Sequence, residues 1–274
     1  MIKRQIRKLL LEDSLSGRLT RTLCGHKKPD VLANRCIFLA CFPKSGSTYM
    51  ARLLEEATHR IGLKAAYEMG HNEQNIDEEA LRRCVRKLSV VQQHTQGGEN
   101  NVALLAKYRM QPIVLTRNLP DIVVSLLDHM HLHQHTRNPM AFAPGQFFEW
   151  PQDEQLRWIT WAYMPWYFSF YQSWKTNGDK VNAQWVEFDD LTTRPVETVT
   201  QLLARMNLPC DAAALERASN PHTSGKNSRI NKGLAGRGAQ LPAEVKDHLR
   251  HLAEVWKLTT EDCHRLGLET SSNS

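Results

Sequence analysis

No two of the chain's six cysteines, Cys24, Cys36, Cys41, Cys84, Cys210 and Cys263, form a CxxC pair. That gives no support to a zinc ribbon or a dithiol redox centre, and the scatter suits reduced thiols in a cytoplasmic protein. No apolar run approaches the roughly 20 residues that a membrane span requires. No proline- or glycine-rich linker divides the 274 residues, no segment repeats, and the only low-complexity piece is the polar end "ETSSNS". One domain over residues 35–268 is therefore expected, after a basic arm (1–34) and before a disordered tail (269–274). The arm opens "MIKRQIRKLLLEDS". Its acidic pair directly after a short apolar patch makes a poor secretory signal. A solvated arm is the first reading, and a basic amphipathic helix in peripheral contact with a membrane is the second. A further absence is the nucleoside-triphosphate loop GxxxxGK[ST], and no acidic strand end offers itself to magnesium.

What the sequence does hold is an excess of positive charge, formally +6. That favours an anionic partner without choosing among nucleotide, nucleic acid, acidic glycan and membrane. Apolar runs alternate with helical patterns. "RCIFLACF" (35–42), "KAAYEM" (64–69, weakly), "SVVQQ" (89–93), "PIVLT" (112–116) and "NAQWVEF" (182–188) read as strands. After the first of them, Met50, Leu53, Leu54, Ala57 and Ile61 recur at helical spacing up to a stop at Gly62. Further helical patterns cover 77–88, 99–108, 120–130, 153–174, 194–208 and 243–256. The expected fold is α/β: a single domain with a central parallel sheet flanked by helices. Ligands bind such sheets at the carboxyl ends of the strands, which draws residues 43–49, 94–96 and 117–120 together. The aromatic helix 153–174 reads first as core and second as a ligand box.

Within "CFPKSGSTYM" (41–50), Pro43-Lys44-Ser45-Gly46-Ser47-Thr48 lies between a strand and a helix. The first N–H groups of a helix have no intrahelical partner, and the helix dipole is positive there. Gly46 lets a ligand approach the backbone, Ser47 and Thr48 add hydroxyls, and Lys44 adds charge. This is a strand–loop–helix suited to a phosphate-like anion, the other reading being a plain βα turn. Lys44 precedes the glycine, the reverse of the triphosphate loop, which argues against Mg·ATP.

"FPKSGSTY" resembles the 5′-phosphosulfate loop of sulfotransferases that use 3′-phosphoadenosine 5′-phosphosulfate (PAPS). "VLTRNLPDIVVSLLDH" (114–129) resembles that family's 3′-phosphate motif, with Arg117 at a strand end and Ser125 eight positions later. "NKGLAGRG" (231–238) is similar to its late loop over the same phosphate, which implies roles for Lys232 and Gly233, with Arg229 supplying charge where Asn231 replaces the family's usual arginine. The three segments follow the family's order across roughly residues 36–240. The resemblance implies a P-loop-like fold, PAPS as donor, 3′-phosphoadenosine 5′-phosphate (PAP) as product, and no metal. It places Tyr49 against adenine. Phe188 stands where the family often has a cofactor-contacting tyrosine. Each residue also has a plainer reading: Arg117 pairing with Asp121, Ser125 bonded to its own helix, Tyr49 facing the core, Arg229 and Lys232 as solvated loop charges.

Sulfuryl transfer needs a base for the acceptor's proton and a cation for the leaving phosphate. The resemblance assigns the second task to Lys44. His94, after the strand 89–93 and 23 residues before Arg117, resembles the family's catalytic histidine, although Gln92 stands where a lysine is usual. Glu68 is the rival base. His129, His131, His133 and His135 alternate in "HMHLHQH". They continue a helical pattern, where i,i+2 residues diverge, so metal is not expected. Phe142, Phe147, Phe148 and Trp150 form either an apolar acceptor pocket or a loop pinned to the core. The leading expectation is transfer to a hydroxyl, with an amine second, on a small-molecule, lipid or glycan acceptor. The alternatives are an ATP-dependent small-molecule kinase and a non-enzymatic binder of anions or nucleic acid. No nucleic-acid recognition motif is present. The sequence leaves the acceptor and the oligomeric state open.

Overall fold

The computed structural model describes residues 35–66, 73–133, 142–220 and 236–268. Five parallel strands form the sheet: β1 (Cys36–Cys41), β2 (Ile61–Leu63), β3 (Ser89–Gln93), β4 (Ile113–Thr116) and β5 (Gln184–Glu187), in the order β2-β3-β1-β4-β5. The helices are α1 (Ser47–Thr58), α2 (Glu78–Val85), α3 (Glu99–Lys107), α4 (Leu119–His133), α5 (Gln152–Asn177), α6 (Phe188–Thr193), α7 (Pro195–Arg205), α8 (Ala212–Ser219), α9 (Ala243–Val255) and α10 (Thr260–Arg265).

β1 is central, and all six of its residues are buried. Side chains alternate across a strand, so one continuous apolar run feeds two cores. Phe38, Ala40 and Phe42 face a layer built from α4, α5 and α9. Ile37, Leu39 and Cys41 face α1, α7 and α8. The aromatic pattern at 153–174 is core, as its first reading had it: Tyr163, Tyr167, Phe168, Phe170, Tyr171 and Trp174 are fully buried on α5.

The first helical pattern runs too far in the sequence reading. α1 stops at Thr58 because His59 adopts the left-handed conformation, φ 52°. Ile61 then opens β2, three residues earlier than the expected strand 64–69. Phe188, read as the end of the last strand, begins α6 instead. Helices α8 and α10 are not anticipated by the patterns above.

The expected arm, the tail, Glu68, His135, Arg229, Asn231, Lys232 and Gly233 lie outside the described residues, as does the 136–141 part of the aromatic loop. Of that loop, Phe147 inserts fully into the core, with its ring 5.3–5.7 Å from those of Phe148, Trp150 and Trp158. Phe142 is exposed. Among the described residues no helix is long and apolar enough to cross a membrane.

Candidate active site at the carboxyl edge of the sheet

The loop after β1 turns twice through left-handed backbone, at Lys44 (φ 67°) and at Gly46 (φ 75°). Lysine in that region is strained, so something else must hold it. Three successive carbonyls supply the hold. That of Phe42 accepts from Ser45 Oγ at 2.7 Å, that of Pro43 from Tyr167 Oη at 3.2 Å, and that of Lys44 from Arg117 Nη1 at 3.0 Å. The loop's acceptors are thus bound by buried side chains of its own and of two other elements. Its donors are treated differently. Gly46 is the N-cap of α1, no side chain caps the helix, and no acidic residue stands in its first turn. A β-carbon at Gly46 would lie 3.1 Å from the Phe188 ring, so the close packing and the positive φ both call for glycine here.

Arg117 leaves the end of β4 almost completely buried. Its guanidinium lies 3.9 Å above the centre of the Phe188 ring. Burial pulls Arg117 below its ordinary pKa, and Asp121, with Oδ2 3.6 Å from Nη2, works against that shift. The Arg117–Asp121 pairing read as the plainer alternative is therefore real, but it is interior and not a surface pair. Asp121 also accepts from two backbone donors, Gly236 N–H at 2.9 Å and Gly238 N–H at 2.7 Å. One carboxylate joins the β4 end to the turn at 236–240. That turn presses on α4 so closely that a β-carbon at Gly238 would collide with Pro120. Ser125 is buried on α4, one turn beyond Asp121.

His94 directly follows β3. Its Nδ1 lies 2.9 Å from the Cys41 carbonyl and 3.5 Å from the Cys41 thiol. A carbonyl can only accept, so Nδ1 carries the hydrogen and the lone pair of neutral His94 is on Nε2. Burial pushes the His94 pKa down. Cys41 and Glu73 outweigh burial, leaving it above the ordinary value. Gln92, at the family's usual lysine position, donates to both Ser47 Oγ (3.3 Å) and Cys41 Sγ (3.5 Å). Through Cys41 it therefore links His94 to the loop without adding charge.

The expected convergence of the β1, β3 and β4 ends is present for Lys44, Ser45, Gly46, Ser47, His94 and Arg117, with Phe188 beneath. Thr48 is exposed on α1. Tyr49 turns towards α8, its hydroxyl 3.4 Å from the Ser219 carbonyl, and Arg52 lies 5.5 Å from its ring centre. The sequence reading missed Tyr167, Glu73 and the bridging role of Asp121. Tyr167 was hidden in an aromatic run with four buried tyrosine or phenylalanine neighbours, and the Arg–Asp spacing of four was the only local hint of the last. Along α4 the His129 and His133 rings touch at 4.5 Å, while His131 bonds Gln155 at 2.7 Å. Among the described residues no three His, Cys, Asp or Glu side chains gather to hold a metal.

Similar proteins share this architecture. Mouse sulfotransferase SULT7A1, solved with PAP, has 13% identity, a TM-score of 0.62, and coverage of 84% of this chain and 86% of its own. Retinol dehydratase, solved with retinol and PAP, has 12% identity and a TM-score of 0.56, covering 84% and 83%. The sulfotransferase domain of the Synechococcus PCC 7002 olefin synthase has 15% identity and a TM-score of 0.51, covering 86% and 99%. At these identities the likeness establishes the fold. No curated protein sequence matches. The model of the sulfotransferase domain family matches residues 34–232, the greater part of the chain, including the ends of β1, β3 and β4. By that match, the chain belongs to the sulfotransferase domain family.

Proposed function

We propose that the chain moves the sulfuryl group of PAPS to an acceptor hydroxyl, an amine being the second choice, and releases PAP. The observation that carries this reading is the division of labour in the loop after β1. Its carbonyls are tied to Ser45, Tyr167 and Arg117, and its helix end has no side-chain cap. The residues present fit the donor. The hydroxyls of Thr116, next to Arg117, and Tyr163, one turn before Tyr167, are buried without a hydrogen-bond partner among the described residues. Buried donors of this kind are costly unless a ligand engages them.

PAPS supplies an activated sulfuryl group on a phosphate leaving group. Lys44, Ser47 and Thr48 with the α1 N-terminus hold the 5′ end, and Lys44 stabilises the charge that develops on the departing phosphate. Arg117 and Ser125 hold the 3′-phosphate, with Arg229, Lys232 and Gly233 closing over it, and Phe188 and Tyr49 provide the apolar and aromatic contacts to the nucleotide. His94 Nε2 removes the acceptor's proton. Glu68 is retained as the rival base. The acceptor is a small molecule, a lipid or a glycan. Retinol in the retinol dehydratase structure is an example of a small apolar alcohol on this fold. Peripheral membrane contact through residues 1–34 and a cytoplasmic location belong to the same reading.

Calorimetry against PAP, with ADP and Mg·ATP as controls, tests the donor. PAP is expected to bind tightly without metal and the controls weakly. Preference for Mg·ATP would move the assignment to a kinase, and no binding at all would refute the nucleotide site. His94→Ala is expected to keep PAP affinity and lose transfer.

A further inference from the structure

The nitrogen that must work as the base, Nε2 of His94, faces a second carboxylate that the sequence does not single out. Glu73 Oε2 lies 4.0 Å from it. That is too long for a hydrogen bond, and it is ion-pair range once the ring is protonated. The placement is built in. The Glu73 carbonyl accepts from Gln93 Nε2 at 3.2 Å and from Thr95 Oγ1 at 3.1 Å, the two residues flanking His94. Its other carboxylate oxygen, Oε1, takes Lys64 Nζ at 3.1 Å, and Lys64 also donates to the Gln92 carbonyl at 3.0 Å. Residues 92, 93 and 95 thus hold the Lys64–Glu73 pair against the ring they carry between them. A surface ion pair that merely fastened the loop would account for Oε1, but not for Oε2 standing at the reactive nitrogen.

We infer that Glu73 is the positioning residue of the base, receiving the Nε2–H of His94 when the ring becomes charged, with Lys64 setting how strongly it does so. The inference rests on the reading of His94 as the base. In the transfer step the acceptor O–H bond breaks and its proton passes to Nε2. The acceptor oxygen bonds to sulfur, and the sulfur–oxygen bond to the 5′-phosphate breaks with its electron pair going to that phosphate. The imidazolium formed has Nδ1–H on the Cys41 carbonyl and Nε2–H towards Glu73, until water removes the proton. A hydrogen bond from Nδ1 to a neutral carbonyl orients the ring without opposing its charge. On the Nδ1 side the Cys41 thiol at 3.5 Å also favours the charged ring, and on the Nε2 side, where the acceptor's proton arrives, the carboxylate is that of Glu73.

Among the described residues, the groups facing His94 are few. β1 contributes the Cys41 thiol, the segment before α2 contributes Glu73, and the segment after β2 contributes Lys64 behind Glu73. From α5, the Tyr167 phenol interacts with Cys41, and burial keeps its pKa well above the usual tyrosine value. Gln92 is neutral. The signs follow. Glu73 favours the charged ring, so Glu73→Gln lowers the pH at which His94 titrates. Lys64 draws on Glu73, so Lys64→Gln raises it. Two substitutions on one ion pair therefore move one histidine in opposite directions.

The test is an NMR titration of the full chain labelled with 15N-histidine, reading the ring nitrogens directly. His94 among the 12 histidines is assigned by difference from His94→Gln. The unsubstituted protein is expected to show the Nδ1–H tautomer. Glu73→Gln is expected to shift the midpoint down, and Lys64→Gln up, by about 0.5–1 pH unit each. Glu73→Asp is expected to restore part of the first shift. PAP calorimetry on each variant checks that the site is intact. Should Glu73→Gln fail to bind PAP, Lys64→Gln decides alone, because it leaves the carboxylate in place. No shift, or shifts of the same sign, overturns the inference while PAP binding and the loss of transfer in His94→Ala stand. Normal transfer by His94→Ala overturns the base assignment instead, whatever the titration shows.

Discussion

Helices α1 and α2 begin with opposite solutions to one problem. A helix start exposes N–H groups and partial positive charge. At α2 the chain answers with its own anions: Asp77 accepts from the Ala80 N–H at 2.7 Å, and Glu78 and Glu79 fill the first turn. At α10 it does the same with Thr259 and Asp262 in a capping box. At α1 there is no side-chain cap and no acidic residue, and two cations, Lys44 and Arg117, stand at the loop. A cap is normally worth about 1 kcal/mol, so leaving α1 without one is a stability cost. The three side-chain bonds to the loop carbonyls offset it. Under the proposed function, the difference separates a helix end finished by the fold from one left for a ligand.

Removing the loop cation should break the contrast most severely. Lys44→Ala is expected to slow transfer about 10²–10³-fold, as loss of one transition-state donor commonly does, while PAP still binds, more weakly. Single-turnover kinetics at saturating donor reads the first and calorimetry the second. Unchanged turnover would mean that the open helix end does not serve the leaving phosphate.

Arg117→Ala comes next. It removes the loop's hold at the Lys44 carbonyl and the fork assigned to the 3′-phosphate. PAP affinity should fall about 10–100-fold, the usual worth of a charge-assisted contact, with little change for ADP. An equal loss for both nucleotides would point to collapse of the loop and not to a missing phosphate contact. Asp121→Asn sharpens this. It keeps the shape while weakening the tie between Arg117 and the 236–238 turn, so a smaller loss with the same PAP-over-ADP pattern is expected.

How much of this was legible in the sequence depends on the range of the interaction. Lys44, Gly46 and Arg117 could be read because strand, loop and helix are consecutive, so motif and geometry coincide. Strands β1, β3 and β4 could be read because burial on both faces makes their apolar runs nearly continuous. β2 could not: it has three residues, and Ile61 continues the helical spacing of α1, so only the left-handed His59 separates helix from strand. Glu73, Tyr167 and Asp121 act on residues 21, 124 and 115–117 positions away, and no local pattern records such pairings. Phe188 illustrates a middle case. Its position was marked by the resemblance, yet the structure uses its ring beneath Arg117 and against Gly46, an arrangement that only the folded chain reveals.

The finished helix ends should answer to stability and not to ligand. Asp262 is buried, accepting from Tyr171 Oη at 2.8 Å, from the Thr259 N–H at 2.8 Å and from Lys175. Burial alone would push its carboxyl up, but Lys175, Thr259 and Tyr171 outweigh it and hold it at about 2. A depressed folded-state pKa stabilises above the unfolded value and loses that contribution as pH falls. The α10 anchor should therefore weaken progressively from the ordinary aspartate value of about 3.9 down to its own value near 2. Asp262→Asn should destabilise at neutral pH and lose its difference from the unsubstituted protein by about pH 2, which urea melts across that range would read.

The smallest effect isolates the comparison. Asp77→Ala removes the α2 cap and should cost about 1 kcal/mol in a denaturant melt, with PAP affinity unchanged. Bound PAP should stabilise that variant and the unsubstituted protein by the same increment, because ligand linkage depends on concentration over Kd and not on a remote cap. In the proposed reading the ligand itself caps α1, which makes the helix end and the binding site one object. The stabilisation by PAP should then shrink in Lys44→Ala and Arg117→Ala in proportion to their lost affinity. If Asp77→Ala weakened PAP binding as well, the two helix ends would be coupled through the sheet, and α2 could no longer serve as the finished counterpart of α1.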